Sequence, residues 1–440
     1  AAHERAVAAA LAGRDLDVSC SSDVSPEFRE YERTVTTVIN ASLGPVCREY
    51  LRRLGPLADE VLVMTSAAGL LPAAEAAEVP VALLLSGPAG GVRAGSAAAV
   101  AAGYPDAVTV DMGGTSTDVC LVTGGAPEAA AQRTVGGLPV RRPSLDIHTI
   151  GAGGGSIAFL DAGGALRVGP RSAGAEPGPA CYGRGGVDPT VTDADLVLGR
   201  IPADAVFPGL DRLDADAARR ALDGAGVDAA GVIAVVDAAM EQAVRVVSVA
   251  RGVDPTGLAL VAFGGAGPLH ACAIAGALGM AAVVVPPRAG VLSAVGLLGS
   301  PRQRELVRSW PVPSVHDELD RALAALAAEA RAAVGAGAEV ETAVDCRYAG
   351  QSHELTVRSI AEFDDEHRRR NGYARPGAPI EVVALRAAAR QSSPVDALPP
   401  PGDRRPAKGP CVLAEPDCTV WVPDGWHADV DEAGNWVIVT

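Results

Sequence analysis

The spacing of apolar residues changes along the chain, and each change predicts an element. Ala1–Ala12 and Arg33–Tyr50 carry helical spacing, Leu54–Leu57 reads as a turn, and Val61–Thr65 as a short strand. Val81–Leu85 reads as a strand, followed by a glycine-rich turn, an alanine-rich helix over Val92–Ala102 and a strand over Ala107–Asp111. That β-α-β rhythm predicts parallel pairing and an α/β layer fold. Further on, 211–250 is helical with apolar residues on one face. Leu258–Phe263 is a buried strand, Leu269–Leu278 a helix, Ala282–Val285 a strand and Val291–Leu298 a short helix. A helix over 316–334 leads into a β-rich tail. Ala397–Pro410 reads as a Pro-rich linker, and strands beyond it are joined by turns at Pro423-Asp-Gly and Glu432-Ala-Gly-Asn.

Between 150 and 200 the pattern gives way to glycine and proline: Gly151-Ala-Gly-Gly-Gly155, Gly169-Pro-Arg-Ser-Ala-Gly174, Pro177-Gly-Pro179 and Gly183-Arg-Gly-Gly186. So much glycine is costly to order. Ile157, Phe159, Leu160, Leu166 and Val168, interspersed with it, predict an ordered, closely packed loop rather than a linker.

Composition narrows the chemistry. With 440 residues, 48% of them hydrophobic, the chain can fill two to three domains. Aromatics are only 3%, so the core is built from small aliphatic side chains. A net charge of −16 argues against nucleic-acid or anionic-membrane partners, which need clustered cations. Lys408 is the single lysine, which leaves no lysine to follow the glycines of a Walker A loop. A pyridoxal-phosphate Schiff base is disfavoured for the same reason. The eight cysteines form no C-x-x-C pair and read as isolated reduced thiols of a cytoplasmic protein. No apolar run reaches the ~18–20 residues of a membrane span. No secretory signal opens the chain, and Ala1 already lies in a helical pattern, as expected of a fragment or processed form.

Two motifs carry the candidate chemistry. Asp111-Met-Gly-Gly-Thr-Ser-Thr-Asp118 lies between two apolar runs, Val108–Val110 and Val119–Val122. Gly113 and Gly114 permit a tight hairpin whose backbone N–H groups converge on an anion. Thr115 and Ser116 add hydroxyls, and Asp111 and Asp118 flank the turn. Carboxylates beside phosphate repel it unless Mg²⁺ lies between or they orient water. An ordinary polar hairpin is the alternative. The second motif, Leu260-Val-Ala-Phe-Gly-Gly-Ala-Gly-Pro-Leu-His270, ends a strand in Gly264, Gly265 and Gly267 and opens a helix. A helix N-terminus after bare backbone suits a close-lying anionic ligand. It is not a dinucleotide fingerprint, because His270 occupies the third glycine position. It reads instead as an adenosine-contacting turn.

Order adds specificity. Ser86-Gly-Pro-Ala-Gly-Gly-Val92 opens a helix before the hairpin, and Arg288-Ala-Gly-Val-Leu-Ser-Ala294 opens one after the second turn. That order of parts resembles the second half of the actin/sugar-kinase/Hsp70 ATPases. Together with Glu30-Tyr-Glu-Arg-Thr-Val-Thr-Thr, the Gly151 and Ser172 loops, Thr190-Val-Thr-Asp-Ala-Asp, Arg347-Tyr-Ala-Gly-Gln-Ser-His-Glu-Leu and Gly409-Pro-Cys-Val-Leu-Ala-Glu, it is similar to the hydantoinase A/oxoprolinase family over nearly the whole chain.

The resemblance implies an α/β fold with a two-lobed actin/Hsp70-like ATPase core and a β-rich C-terminal domain. The expected boundaries are 1–85 as the remnant of a first lobe, 86–300 as the second lobe, and 301–440 as the β-rich domain. No first Asp-Gly-Gly-Thr-type hairpin precedes Asp111, so the first lobe is expected to be incomplete. The implied activity is ATP-dependent opening of a cyclic amide of the 5-oxoproline or hydantoin type, by phosphoryl transfer to the carbonyl. Asp111 and Asp118 would serve Mg²⁺ and water, Gly113, Gly114, Thr115 and Ser116 would cradle phosphate, and Gly264, Gly265 and Gly267 would admit adenosine. A hydantoinase-B-type partner subunit or a homo-oligomer is expected. The alternatives are a ketone carboxylase subunit or a non-catalytic nucleotide-binding scaffold.

Other residues receive plainer readings. Ser156 has no G-x-S-x-G elbow and no base. His148 and His270 are expected as structural hydrogen-bonders. Cys181 has no visible partner, Asp193 and Asp195 read as a helix cap before an apolar run, and Arg141-Arg142 as a solvated basic pair.

Overall fold

The computed structural model describes residues 2–440 except 15, 206, 208, 211, 396, 397, 400, 401 and 403. Ala1, Asp211 and parts of the Pro-rich segment, all included in the readings above, therefore lie outside the described residues. The chain forms two compact units. One comprises Ala1–Ser86, Ala130–Ser144 and Gly299–Asp396; the other comprises Gly87–Ala129, Leu145–Leu298 and Ala397–Thr440.

The first unit carries a six-stranded sheet in which Arg302–Ser309, Ile380–Gln391 and Glu339–Tyr348 run antiparallel. The helix Leu319–Val334 covers it through Leu319, Leu326 and Ala330. Glu30–Leu54 is a single helix of 25 residues, longer than its apolar spacing predicts. Val81–Leu85 is not a strand. Pro80–Leu83 is a 3-10 turn, and Val81 is buried with Val24 and Val140. A short buried apolar run looks alike in strand and turn, and Pro80 lacks the N–H that a sheet ladder would use. Nor is Arg141 solvated. It is 8% exposed and paired with Glu27, and its Nη2 lies 2.6 Å from Glu354 Oε1. Adjacent Arg142 is half-buried and donates to Val24 O at 3.0 Å. A guanidinium can be buried only when such partners compensate its lost hydration.

The second unit carries the candidate motifs. Its helices are α1 (Ala89–Ala101), α2 (Val191–Val197), α3 (Ala215–Ala225), α4 (Ala229–Val247), α5 (Gly267–Leu278) and α6 (Leu292–Gly299). Its main sheet contains β1 (Ala107–Met112), β2 (Thr117–Thr123), β3 (Ile147–Ile150), β4 (Ala259–Phe263), β5 (Ala282–Val285), β6 (Ala407–Lys408), β7 (His427–Val430) and β8 (Trp436–Val439). Its order is β3-β2-β1-β4-β5-β8-β7-β6. β1, β4 and β5 are parallel, while β1–β2 is an antiparallel hairpin. All five residues of β4 and all four of β5 are buried, as strands covered on both faces require. Small side chains let the layers approach: a Cβ on Gly90 of α1 would lie 2.5 Å from Ser293 O of α6.

The stretch 301–440 is shared between the units. Residues up to 396 belong to the first, whereas β8 completes the second sheet, pairing Val283↔Ile438 and Val285↔Trp436. Trp436 and Ile438 bring an apolar face to a sheet edge that would otherwise stand open. Among the described residues no helix is long and apolar enough to cross a membrane.

Candidate active site

The Asp111–Asp118 segment forms the expected hairpin at the end of β1 and the start of β2. Register sets Asp111 directly opposite Asp118, and Gly113 N closes the turn on Ser116 O at 3.1 Å. Facing residues of an antiparallel pair hold their side chains close. Two carboxylates therefore share one end of the hairpin. Thr149 of β3 donates to Asp118 Oδ1 at 2.5 Å, and Ser293 of α6 donates to Asp111 Oδ2 at 3.3 Å. Burial, then the charge of Asp118, raises the Asp111 carboxyl to about 6, with the Ser293 hydroxyl acting in the opposite direction. A divalent cation would relieve that repulsion, and paired carboxylates with nearby hydroxyls are the hard oxygen donors Mg²⁺ takes.

The two sides of the turn differ. A Cβ added to Gly113 or Gly114 would meet nothing within 4 Å. Gly114 and Thr115 are exposed, so this side is open to a ligand. The other side is filled by the Gly151–Gly155 loop. Gly154 N and Gly155 N donate to Gly113 O at 2.9 Å and Gly114 O at 2.7 Å. A Cβ on Gly153 would lie 2.6 Å from Thr115 N. Thr117 Oγ1 donates to Ala152 O at 2.6 Å, tying the start of β2 to the same loop. This support was not read from the sequence, although the run of glycines was its signal.

The second turn packs against the first. Ala266 N donates to Met112 O at 3.0 Å. Gly264 has φ +79°, and a Cβ there would lie 2.4 Å from Met112 O and 2.5 Å from Asp111 Oδ1. Gly267 is buried, and its Cβ would lie 3.4 Å from Val110 O, whereas Gly265 is exposed with open space around it. Of the three glycines, Gly265 alone faces open space; Gly264 and Gly267 let the two turns touch. Ser293 and Thr149 join the carboxylates without any signal in their local sequence.

The remaining candidates have structural places. Ser156 is fully buried, and its Oγ accepts from Gly153 N at 2.8 Å. Cys181 is also fully buried, and burial followed by the Asp193 charge drives its thiol far above the usual range. It is therefore no thiolate nucleophile. Asp193 caps α2, closing a capping box with Thr190. Asp195, expected with it as a cap, is instead buried inside the helix layer beside His270. Glu415, Asp417 and Cys418 also cluster, but Glu415 pairs with Arg404 and Asp417 accepts from Gly290 N.

The hydantoinase/oxoprolinase family profile matches residues 33–304. The chain belongs to that family. Its relatives include the caprolactamase subunit alpha of Pseudomonas jessenii, 34% identical over 96% of this chain and 72% of that protein. The 5-oxoprolinase 1 of Arabidopsis thaliana is 38% identical over 64% of this chain, which spans only 24% of its length. The acetophenone carboxylase gamma subunit of Aromatoleum aromaticum is 36% identical over 64% of this chain and 40% of its own length. Among solved structures, the ATP-dependent caprolactamase of Pseudomonas jessenii superposes with TM-score 0.79 at 30% identity, covering all of this chain and 75% of that one. Nucleotide-free acetone carboxylase shares the fold, with TM-score 0.80 at 23% identity over all of this chain and 74% of that one. The family's actin-like ATPase-type α/β fold is therefore the fold of this chain.

Proposed function

We propose that this chain binds Mg·ATP at the β1–β2 hairpin and uses it to open a cyclic amide. The observation that carries the reading is the two-sided turn: Gly113 and Gly114 are open in front and held from behind, with Asp111 and Asp118 flanking them. Backbone N–H groups preorganised in this way stabilise phosphate charge without reorganising during the reaction. Mg²⁺ held by Asp111 and Asp118 would neutralise phosphate oxygens. Thr115 and Ser116 offer hydroxyl donors beside the turn, and Gly265 offers bare backbone on the adenosine side, while Gly264 and Gly267 hold the second turn against the first.

A lactam carbonyl is a poor electrophile. Attack of its oxygen on the γ-phosphorus releases ADP and leaves an imidate-like phosphate. Water then adds to the activated carbon and the C–N bond breaks, which opens the ring and leaves an acyl phosphate; a second water attacks its carbonyl carbon, and phosphate departs with the former carbonyl oxygen. Relatives named caprolactamase and 5-oxoprolinase favour a cyclic amide as substrate. The word subunit in the first name favours a second, hydantoinase-B-type chain as partner. The relative named as a carboxylase subunit supports a second reading, in which the activated carbonyl compound is carboxylated rather than hydrolysed.

The test uses the chain with its partner subunit and a lactam labelled with oxygen-18 at the scissile carbonyl. One labelled oxygen per turnover is expected in inorganic phosphate. Label retained entirely in the opened product would mean that ATP drives a conformational change instead. Turnover that requires bicarbonate would favour the carboxylase branch.

A further inference from the structure

His270 lies in the first turn of α5, three residues beyond Gly267, and is fully buried. Its Nδ1 is 2.7 Å from Asp237 Oδ1 on α4, and its Nε2 is 3.4 Å from Asp195 Oδ2 on α2. One imidazole ring thus stands between carboxylates of two other helices. The carboxylates are not equivalent. Asp237 borders a cavity of about 350 Å³ and keeps its side chain 12% exposed, so it retains some hydration. The Asp195 side chain is 1% exposed, and neither of its oxygens has a hydrogen-bond partner among the described residues. Its cationic neighbours are His270 and Arg200, whose Nη1 lies 3.7 Å away. A buried carboxylate without donors is costly unless positive charge stands next to it. Burial works against charge on His270, but the two carboxylates outweigh it and hold the ring protonated up to about 9.

The helices joined in this way lead to the same turn by two routes. α5 begins at the Gly264–Gly267 turn, where Ala266 N donates to Met112 O at the end of β1. α2 is capped by Thr190, and its Thr192 holds the glycine loop twice: Thr192 N and Thr192 Oγ1 both donate to Gly154 O at 2.8 Å. Gly154 and Gly155 in turn hold Gly113 and Gly114. A contact between His270 and Asp195 therefore closes a ring that runs through α5, the hairpin, the glycine loop and α2.

We propose that His270 is a positioning residue: by tying α2 and α4 to α5, it fixes the Gly153–Gly155 loop beneath the Gly113–Gly114 turn. Its consequence for nucleotide rests on the function proposed above, whereas the coupling itself is measurable without nucleotide.

The experiment compares backbone amide exchange in the nucleotide-free wild type with His270→Gln and Asp195→Asn. The first variant strands two buried carboxylates and risks misfolding. The second removes the costly charge and keeps the volume, so it carries the test if the first does not fold. Exchange at Gly153–Ser156 and at Gly113, whose amides are hydrogen-bonded, is expected to quicken by about tenfold or more, while β4 stays protected, as local opening requires. In the assembled enzyme the KM for Mg·ATP should rise more than kcat falls. Unchanged exchange at both loops in the folded variants overturns the proposal. A uniform loss of protection across β1, β4 and β5 also overturns it, because His270 would then be supporting the unit as a whole. Loop exchange that quickens in the variants, alongside a wild type that binds no Mg·ATP by calorimetry, would support the coupling and overturn the nucleotide reading alone.

Discussion

Two glycine runs meet at the hairpin for opposite reasons. Gly113 and Gly114 have no atom within 4 Å of where a Cβ would stand, and the space in front of them is what a ligand would use. Gly153, Gly154 and Gly155 have none to spare: added Cβ atoms would lie 2.6 Å from Thr115 N, 2.9 Å from Thr192 Oγ1 and 2.9 Å from Gly114 O respectively. The first pair leaves open space in front of the turn, and the second run lets one backbone lie against another. Glycine content by itself does not separate these roles. Which neighbours surround each Cα does.

The largest effect expected from the open side is chemical. With the partner subunit supplied, Asp118→Asn should lower ATP-coupled turnover by ~10²-fold or more, given what charge and positioning contribute. Its unfolding midpoint should hardly move, since the change also removes a like charge facing Asp111. Steady-state kinetics and urea unfolding on the same preparation check both halves. On the packed side, Gly153→Ala should destabilise by about 1–3 kcal/mol through overpacking, read from denaturant unfolding. A Gly153→Ala protein as stable as the wild type would erase the contrast between the runs.

A smaller effect follows from Asp111. Its carboxyl holds a proton up to about pH 6, because burial and Asp118 disfavour the charged form. Protons therefore compete with a divalent cation below that pH. Mn²⁺ affinity, followed by water-proton relaxation, should fall up to tenfold per unit as pH drops from 6 to 5 and level off above 7. Affinity independent of pH over that range would remove Asp111 from the ligand set. Smaller again is Gly114→Ala, which meets no atom and lies outside the left-handed region. Stability should stay within about 0.5 kcal/mol, as for a surface change. ATP affinity by calorimetry should nonetheless drop, because the methyl group occupies the ligand's side. Asp106→Asn serves as the near-silent control. Asp106 Oδ1 accepts from Gly124 N at 2.7 Å, a bond that an asparagine oxygen can also accept.

Much of the second unit was legible in the chain. Runs such as Leu258–Phe263 and Ala282–Val285 are apolar without alternation, as strands buried on both faces must be, and β4 and β5 lie there. The hairpin followed from glycines between two such runs. Errors fell where local pattern has no say. Val81–Leu85 is apolar enough for a strand, yet its neighbours bury it as a turn. Arg141 carries nothing that distinguishes a surface arginine from a buried one, because its partners Glu27 and Glu354 are remote in sequence. Asp195 sits two residues from a true cap and points into the helix layer instead.

The sequence by itself determined the kinds of element, their order and the presence of a glycine turn between two aspartates, because these depend on near neighbours and on periods of two or 3.6 residues. Only the tertiary structure decided which glycines face open space and which face backbone, why Asp111 keeps its proton to about pH 6, and that His270 joins Asp195 to Asp237. Each of those depends on distances between residues far apart in the chain. Burial, charge and steric exclusion act through such distances, and they exist only once the chain has folded.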